Sequence, residues 1–185
     1  MKRFFKNLWS VLLAIAAWCV VSSIFWGWVI NLVTDTVPAK KVVIFIEAEK
    51  VDELSLEEAM APDLPEGIKM AKVHSFSYAM FDAQNLLNAD VYIIKASKIE
   101  EYSASLSSDA ELPEGKFGYS EGGDLPRGVK VYDAATGEGY LKDFVNYYGD
   151  EDCYLFIGAS SPHLEDGAAK YAAKLLLEIH NNGGK

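Results

Sequence analysis

The segment LWSVLLAIAAWCVVSSIFWGWVINLV, residues 8–33, contains 26 consecutive residues without a charged side chain. A helix rises about 1.5 Å per residue, so this segment reaches roughly 39 Å, whereas the hydrocarbon core of a bilayer is about 30 Å thick. Its apolar residues surround the whole helix instead of forming one stripe, which is typical of a membrane span. Trp9 lies near one end and Trp26 and Trp28 near the other, where indole rings favour the headgroup layers. The segment predicts a single-pass transmembrane helix over about residues 8–33.

The charges on either side of this segment predict its orientation. Lys2, Arg3 and Lys6 precede it, whereas Asp35 is the first charged residue after it. Basic flanks stay in the cytoplasm. We therefore expect a signal anchor in the cell membrane, with a cytoplasmic N-terminus and an extracytoplasmic C-terminal domain.

Two other interpretations of the same segment stay open. Ala14 and Ala16 offer the small-x-small pattern of a signal-peptide cleavage site. Cleavage there, however, leaves a strongly apolar new N-terminus. Cys19 is a candidate for lipid modification, but the bulky Trp18 occupies a position that is small in lipoprotein processing sites. The uncleaved anchor is the interpretation that we prefer.

Composition divides the chain into the flank and anchor (1–34), a linker (35–40) and one domain (41–185). Of the 17 basic residues four precede position 41, and of the 27 acidic residues only Asp35 does, so the domain carries a net charge of −13. Such a domain repels nucleic-acid phosphates and anionic headgroups. We therefore expect no nucleic-acid partner, and contact with the lipid bilayer through the N-terminal helix only.

Apolar runs predict the strands of the domain. Three continuous runs favour strands that are covered on both faces, and one alternating run favours a less covered strand. The continuous runs are 42–46, 91–94 and 154–157, and the alternating run is 68–73. Two further runs, 129–132 and 140–144, surround a glycine-containing turn and predict a late β-hairpin.

Serines at particular spacings predict where helices begin. Ser55 and Ser97 each have a glutamate three residues later, which is the capping-box spacing. A short helix is predicted over 80–88, and Ser161 with Pro162 predicts the start of the last helix. The order β-α-β-α-β-α is typical of a parallel sheet. We therefore expect an α/β fold, in which the transmembrane helix precedes one mainly parallel β-α-β sheet domain with a late hairpin.

Three passages of the domain resemble one lobe of a bacterial extracellular solute-binding protein of the type 2 periplasmic-binding class. They are residues 42–46 with the helix that follows, residues 88–94 with the serine-containing turn, and residues 154–158 with the last helix. Members of that class have two lobes that close on a ligand. Here the glycine-rich segment 107–128 is too short to hold a second lobe. The resemblance thus implies half of a ligand cleft, which a partner protein would complete.

Polar side chains follow each predicted strand. In parallel α/β sheets, ligands bind beyond the carboxyl ends of the strands. The candidate ligand-binding residues at these positions are Glu47, Glu49, His74, Ser75, Tyr78, Lys95, Ser97, Ser160 and Ser161. Helix capping is a sufficient alternative explanation for the serines, and a surface loop for the histidine.

Catalytic and metal sites have weaker signals. Ser160, Ser161, His163 and Asp166 contain the residue types of an acyl-transfer triad, but no G-x-S-x-G elbow surrounds them. The three histidines lack the spacing of metal ligands. Cys153 has no base in a recognisable motif and is interpreted as a buried apolar residue. We expect no catalytic residue, metal or cofactor.

These observations lead to three hypotheses of function. The first is a membrane-anchored, non-enzymatic recognition module that binds a membrane-protein partner or shares a ligand with one. The second is a stand-alone sensor or scavenger of a small solute. The third is a hydrolase, which requires that the serine, histidine and aspartate meet in space.

Overall fold

The structure is a computed structural model, and it describes residues 2–34, 37–75, 88–120 and 125–179. The chain divides into two compact units, Met1–Thr36 and Val37–Lys185. Most of the helix expected over 80–88 lies outside the described residues, and so does the candidate Tyr78.

The first unit is helix α1 (Lys2–Thr34). Its large apolar side chains between Val11 and Trp26 are at least half exposed. With 3.6 residues per turn, their positions cover every face of the helix. The Ser23 hydroxyl donates to the Cys19 carbonyl at 2.8 Å, so this polar group is satisfied within the helix. Among the residues whose side chains are described, no helix is both long and apolar enough to be assigned as a membrane span.

The second unit is built on a six-stranded sheet with the order β3-β1-β4-β8-β5-β6. A separate pair, β2 with β7, lies outside this sheet. The strands are β1 (Lys41–Ile46), β2 (Lys50–Val51), β3 (Met70–Ser75), β4 (Val91–Lys95), β5 (Val129–Asp133), β6 (Glu138–Gly139), β7 (Val145–Asn146) and β8 (Cys153–Ile157).

The sheet is mixed, which corrects the expectation of a mainly parallel one. Strand β1 is parallel to β3 and β4, but β8 is antiparallel to both β4 and β5, and β5 is antiparallel to β6. All five residues of β8 are buried. A strand that is covered on both faces has the same apolar run in either direction, so its pattern did not predict this orientation.

Apolar side chains cover both faces of the sheet. Within the described residues, the α-helices of this unit are α2 (Glu53–Met60), α3 (Ile99–Tyr102) and α4 (Ala168–Glu178). Ile44, with Leu56 from α2 and Leu176 from α4, belongs to the larger core cluster. The next residue, Phe45, lies with Tyr102 from α3 in a second cluster. Successive strand residues point to opposite faces, so β1 contributes to both layers. The α/β class is confirmed.

Helix α2 begins three residues earlier than predicted and protects an edge of the sheet. Its N-cap is Asp52, whose carboxylate accepts from the Ser55 N–H at 3.3 Å, so Ser55 is not the cap. The Glu53 and Glu57 carboxylates accept the N–H groups of Ser75 at 2.6 Å and Val73 at 2.9 Å. Strand β3 lies at the edge of the sheet, and these bonds occupy N–H groups that another chain would otherwise pair with.

The two other predicted caps are wrong as well. Ser97 lies in a 3-10 turn (Ala96–Lys98) before α3 and does not cap that helix. Helix α4 begins only at Ala168, after Gly167 with a φ of 77°. Gly167 adopts this left-handed conformation readily, because glycine has no Cβ. A non-helical residue therefore lies between the turn after Ser161 and the start of the helix. A late hairpin is present as β5–β6, but its second strand is Glu138–Gly139, so the prediction of a strand over 140–144 is wrong.

Candidate functional site

The mixed sheet separates the candidate residues into two groups. Because β8 is antiparallel to β4, Lys95 is paired with Cys153 and Val91 with Ile157. Ser160 and Ser161, which follow β8, therefore lie at the amino ends of β1 and β4. The expectation that all candidates share one edge is wrong for these two serines.

Glu47 joins the carboxyl ends of β1 and β4. Its carboxylate accepts the Lys95 N–H at 3.1 Å, and its own N–H donates to the Ile93 carbonyl at 2.7 Å. The residue is only 8% exposed. Burial raises the pKa of this carboxyl, and the Lys95 N–H and the nearby lysines offset part of that rise. Glu47 is therefore bound to the backbone of the neighbouring strand.

Lys95 and Ser97 are held by the acidic turn before β8. The Lys95 ammonium lies 3.3 Å from both Asp150 and Glu151. Glu151 also accepts the Ser97 N–H at 2.9 Å and the Ser97 hydroxyl at 3.0 Å. Asp150 and Glu151 are not among the residues that the sequence predicted for a site. We call Glu47, Lys95, Ser97, Asp150 and Glu151 the carboxyl-end cluster, in which the Lys95 ammonium pairs with Asp150 and Glu151 while Glu47 binds the Lys95 backbone.

The remaining carboxyl-end candidates make contacts with other elements. The Glu49 carboxylate accepts from the Asn146 amide at 2.7 Å, beside β7. The His74 ring stacks on Phe45 with a centroid distance of 5.2 Å. Burial lowers the pKa of His74, although Glu53 acts in the opposite direction. Ser75 uses its N–H for Glu53, as described above. These contacts do not join the three residues to the carboxyl-end cluster.

A buried aspartate organises the opposite end of the sheet. Asp90 immediately precedes β4 and is fully buried. Its carboxylate accepts the Val43 N–H at 2.7 Å and the Ser161 hydroxyl at 2.5 Å. Burial raises the pKa of Asp90, and these two hydrogen bonds offset part of the effect. Sequence reasoning missed this residue, because a single aspartate before an apolar strand has no distinctive motif.

His163 lies beside Asp90 and is 1% exposed. Its Nδ1 is 2.8 Å from the Asp166 carboxylate, and its Nε2 is 3.1 Å from the carbonyl oxygens of both Pro38 and Lys41. Burial by itself lowers the pKa of His163, but the bonds to Asp166 and Pro38 and the Asp90 charge raise it overall. We call Asp90, Ser161, His163 and Asp166 the amino-end cluster.

The amino-end cluster does not have the geometry of a hydrolytic triad. The Ser161 hydroxyl donates to Asp90 and accepts the backbone N–H of His163 at 3.0 Å. The described partners of the two ring nitrogens are a carboxylate and two carbonyls, whereas a triad requires a serine hydroxyl on one of them. Ser160 is exposed. Asp166 and His163 thus meet as a triad requires, but without a serine nucleophile.

A groove of about 510 Å³ borders the carboxyl-end cluster, since Ala96 and Asp152, which line it, are chain neighbours of Lys95 and Glu151. Phe117, Tyr119 and Tyr154 line it, together with Lys130 and Asp152. The ammonium of Lys130 is 2.6 Å from the Asp152 carboxylate. Phe117 and Tyr119 belong to the glycine-rich segment 107–128, whereas Lys130 and Tyr154 belong to runs that the sequence predicts as strands. The aromatic residues within that polar segment were the available signal.

The structure also bears on Cys153 and on possible metal ligands. Cys153 is buried as expected, and burial raises the pKa of its thiol to about 12. Across the described ranges, no group of three or more histidine, cysteine, aspartate or glutamate residues is placed to hold a metal ion.

Comparison with family models, curated proteins and solved structures found no match to this chain. The resemblance to one lobe of a solute-binding protein therefore stays a prediction.

Proposed function

We propose that this chain is a membrane-anchored, extracytoplasmic recognition module without enzymatic activity. The observation that carries this proposal is the exposure of apolar side chains on every face of α1, in a chain whose remainder forms a separate compact unit. A helix with this surface is unfavourable in water and favourable in a bilayer. The uncharged segment 8–33 is long enough for a span, and its basic flank favours a cytoplasmic N-terminus.

The hydrogen bonding of the domain supports recognition in preference to catalysis. In the carboxyl-end cluster, Lys95 and Ser97 bind carboxylates of the same chain. In the amino-end cluster, both ring nitrogens of His163 face acceptors. A general base needs a ring nitrogen that reaches the group it deprotonates.

The charge of the domain supports a particular kind of partner. Residues 41–185 carry a net charge of −13. Complementary charge accelerates association and disfavours wrong partners. We therefore propose a membrane protein whose extracytoplasmic surface is basic. The resemblance implies half of a ligand cleft. A second mode of partner binding is therefore one in which the partner completes that ligand site.

Membrane anchorage is tested with charged substitutions in α1. The double variant Val20→Lys and Ile24→Lys is expected to leave the membrane fraction, because each lysine near the centre of a span costs about 3 kcal/mol. The matched control is Leu54→Lys with Tyr171→Lys, which changes two exposed apolar residues of the domain. Equal membrane fractions for the two variants would contradict anchorage. A reporter fused after Lys185 must be active outside the cytoplasm, and cytoplasmic activity would contradict the proposed topology.

The partner is tested by crosslinking the full chain in intact cells. We expect one membrane protein to be recovered reproducibly, with a yield that falls as salt rises, because charge attraction between exposed surfaces is screened. Crosslinks that are irreproducible, or a recovered surface that is acidic, would contradict the proposed partner.

The groove favours a second candidate function, in which the domain senses a small solute. Three aromatic rings provide flat apolar surfaces, and Lys130 with Asp152 provides polar groups beside them. A bound solute raises the melting temperature in a concentration-dependent way. The full chain is melted against sugars, amino acids and oligopeptides, with Tyr119→Ala as the site variant and Tyr171→Ala as the control. A shift that is absent, or that survives in Tyr119→Ala, would remove this candidate.

A further inference from the structure

His163 links the beginning of the domain to the segment after β8. The Pro38 and Lys41 carbonyls, 3.1 Å from Nε2, belong to the first residues of the second unit. Asp166, 2.8 Å from Nδ1, belongs to the turn before α4. One buried ring thus connects two parts of the chain that are more than 120 residues apart. We call residues 37–41 the leading segment.

The partners of the ring require two protons on it. Carbonyl and carboxylate oxygens accept hydrogen bonds, so each ring nitrogen must donate in this arrangement. A neutral imidazole has one N–H and one lone pair. Its lone pair would then face either the Asp166 carboxylate or the two carbonyls. Loss of one proton therefore breaks the arrangement on one side of the ring.

We propose that His163 is a pH-operated clamp, which as an imidazolium fastens the leading segment to the turn before α4 and releases the first three residues of that segment when the ring loses a proton. The side chains of residues 37–40 are exposed, so they add little packing to this attachment. The Lys40 carbonyl also accepts the Lys69 N–H at 2.7 Å. Release therefore concerns residues 37–39, ahead of that bond.

Two carboxylates face the ring from the elements around it. Asp90 lies at the start of β4, and Asp166 lies in the turn before α4. Burial by itself raises the pKa of Asp166, but the hydrogen bond from His163 lowers it overall. Both negative charges favour the imidazolium. Because the pKa of His163 is raised in the folded chain, the clamp is complete below about pH 6.5 and is lost as pH rises through the higher folded value.

The clamp changes the distance that the domain can reach. Three released residues add roughly 10 Å to a fully extended tether. This consequence rests on the proposed membrane anchorage, whereas the clamp itself does not. Under that proposal, the pH outside the cell determines how far the domain can extend from the membrane.

Amide exchange in the full chain tests the clamp. The Lys40 and Lys41 N–H groups donate to Val37 and Pro38 within the leading segment. The protection of these two N–H groups against exchange, corrected for the intrinsic effect of pH, is expected to fall about tenfold as the His163 ring loses its proton. The N–H of Leu155 in β8 is the internal reference and should keep its protection. In His163→Leu, which has no hydrogen-bond donor, the leading segment should be poorly protected at every pH, whereas His74→Leu should behave as the wild type.

Two results would overturn the clamp. One is unchanged protection of Lys40 and Lys41 through the titration of His163, and the other is a loss that Leu155 shares, which indicates global unfolding. If His163→Leu does not fold, Asp166→Asn decides, because the pH at which protection is lost must fall together with the lowered titration midpoint of the His163 ring. Exchange is read within the domain, so the clamp and the membrane anchorage can fail separately.

Discussion

The two ends of the central strands use polar residues in different ways. At the carboxyl end, Lys95 and Ser97 bind an acidic turn whose Asp150 is well exposed. At the amino end, Asp90 is fully buried and His163 nearly so, and both bind backbone groups of neighbouring elements. Charge pairs near the surface are weak and screened, whereas buried polar groups are costly to leave without a partner. The amino end should therefore contribute more to stability and respond more sharply to pH.

The largest expected effect is at the amino end, at Gly158. A Cβ atom there would lie 2.0 Å from the Ala89 carbonyl oxygen. Gly158→Ala should destabilise the fold by about 3 kcal/mol, because the obstructing atom is backbone and cannot move aside cheaply. Urea unfolding measures this, and Ala159→Ser at the exposed neighbouring position is the control. A loss below about 1 kcal/mol would show that this end is more adaptable than the close packing indicates.

Paired carboxylate-to-amide changes compare the two ends directly. Asp90→Asn should cost about 2 kcal/mol, because the amide accepts fewer bonds than the carboxylate does from Val43 and Ser161. Glu47→Gln should cost about half as much, since its amide oxygen can still accept the Lys95 N–H. Urea unfolding of both variants gives the comparison. Equal losses of unfolding free energy in the two variants would contradict the proposed difference between the two ends.

Removal of a carboxyl-end charge should have a smaller effect. Lys95→Met should cost less than about 1 kcal/mol, because Asp150 and Glu151 are partly solvated and screened. The cost should shrink further when unfolding is measured in high salt. A large cost that salt does not change would show that this cluster behaves as a buried site.

The smallest effect is expected at Tyr147, which lies in the larger core cluster. In the described part of the chain, its buried hydroxyl has no hydrogen-bond partner, and its ring stacks on Tyr132. Tyr147→Phe keeps the ring and removes the unsatisfied group, so stability should be unchanged or higher by up to about 1 kcal/mol. Thermal melting checks the sign. A clear loss would mean that the hydroxyl binds a water molecule.

The elements of the domain were largely predictable, whereas the clusters were not. Apolar runs gave β4 and β8 nearly to the residue, because burial on both faces leaves a direct pattern in the sequence. The direction of β8 left no such pattern. The serine caps were wrong for a physical reason: Ser97 binds Glu151, 54 residues away, and Ser161 binds Asp90, 71 residues away. Local capping patterns cannot include partners so distant in sequence.

The difference between the two ends is tested most directly by titrating both histidines in one experiment. In the full chain, ring resonances of His163 and His74 followed by NMR should give a midpoint above about 6.5 for His163 and below it for His74. The signs follow from the carboxylates and carbonyls around His163 and from the burial of His74 against Phe45. Protonation of His163 should therefore stabilise the fold, and protonation of His74 should destabilise it. A midpoint for His163 at or below that of His74 would contradict the account of the amino end.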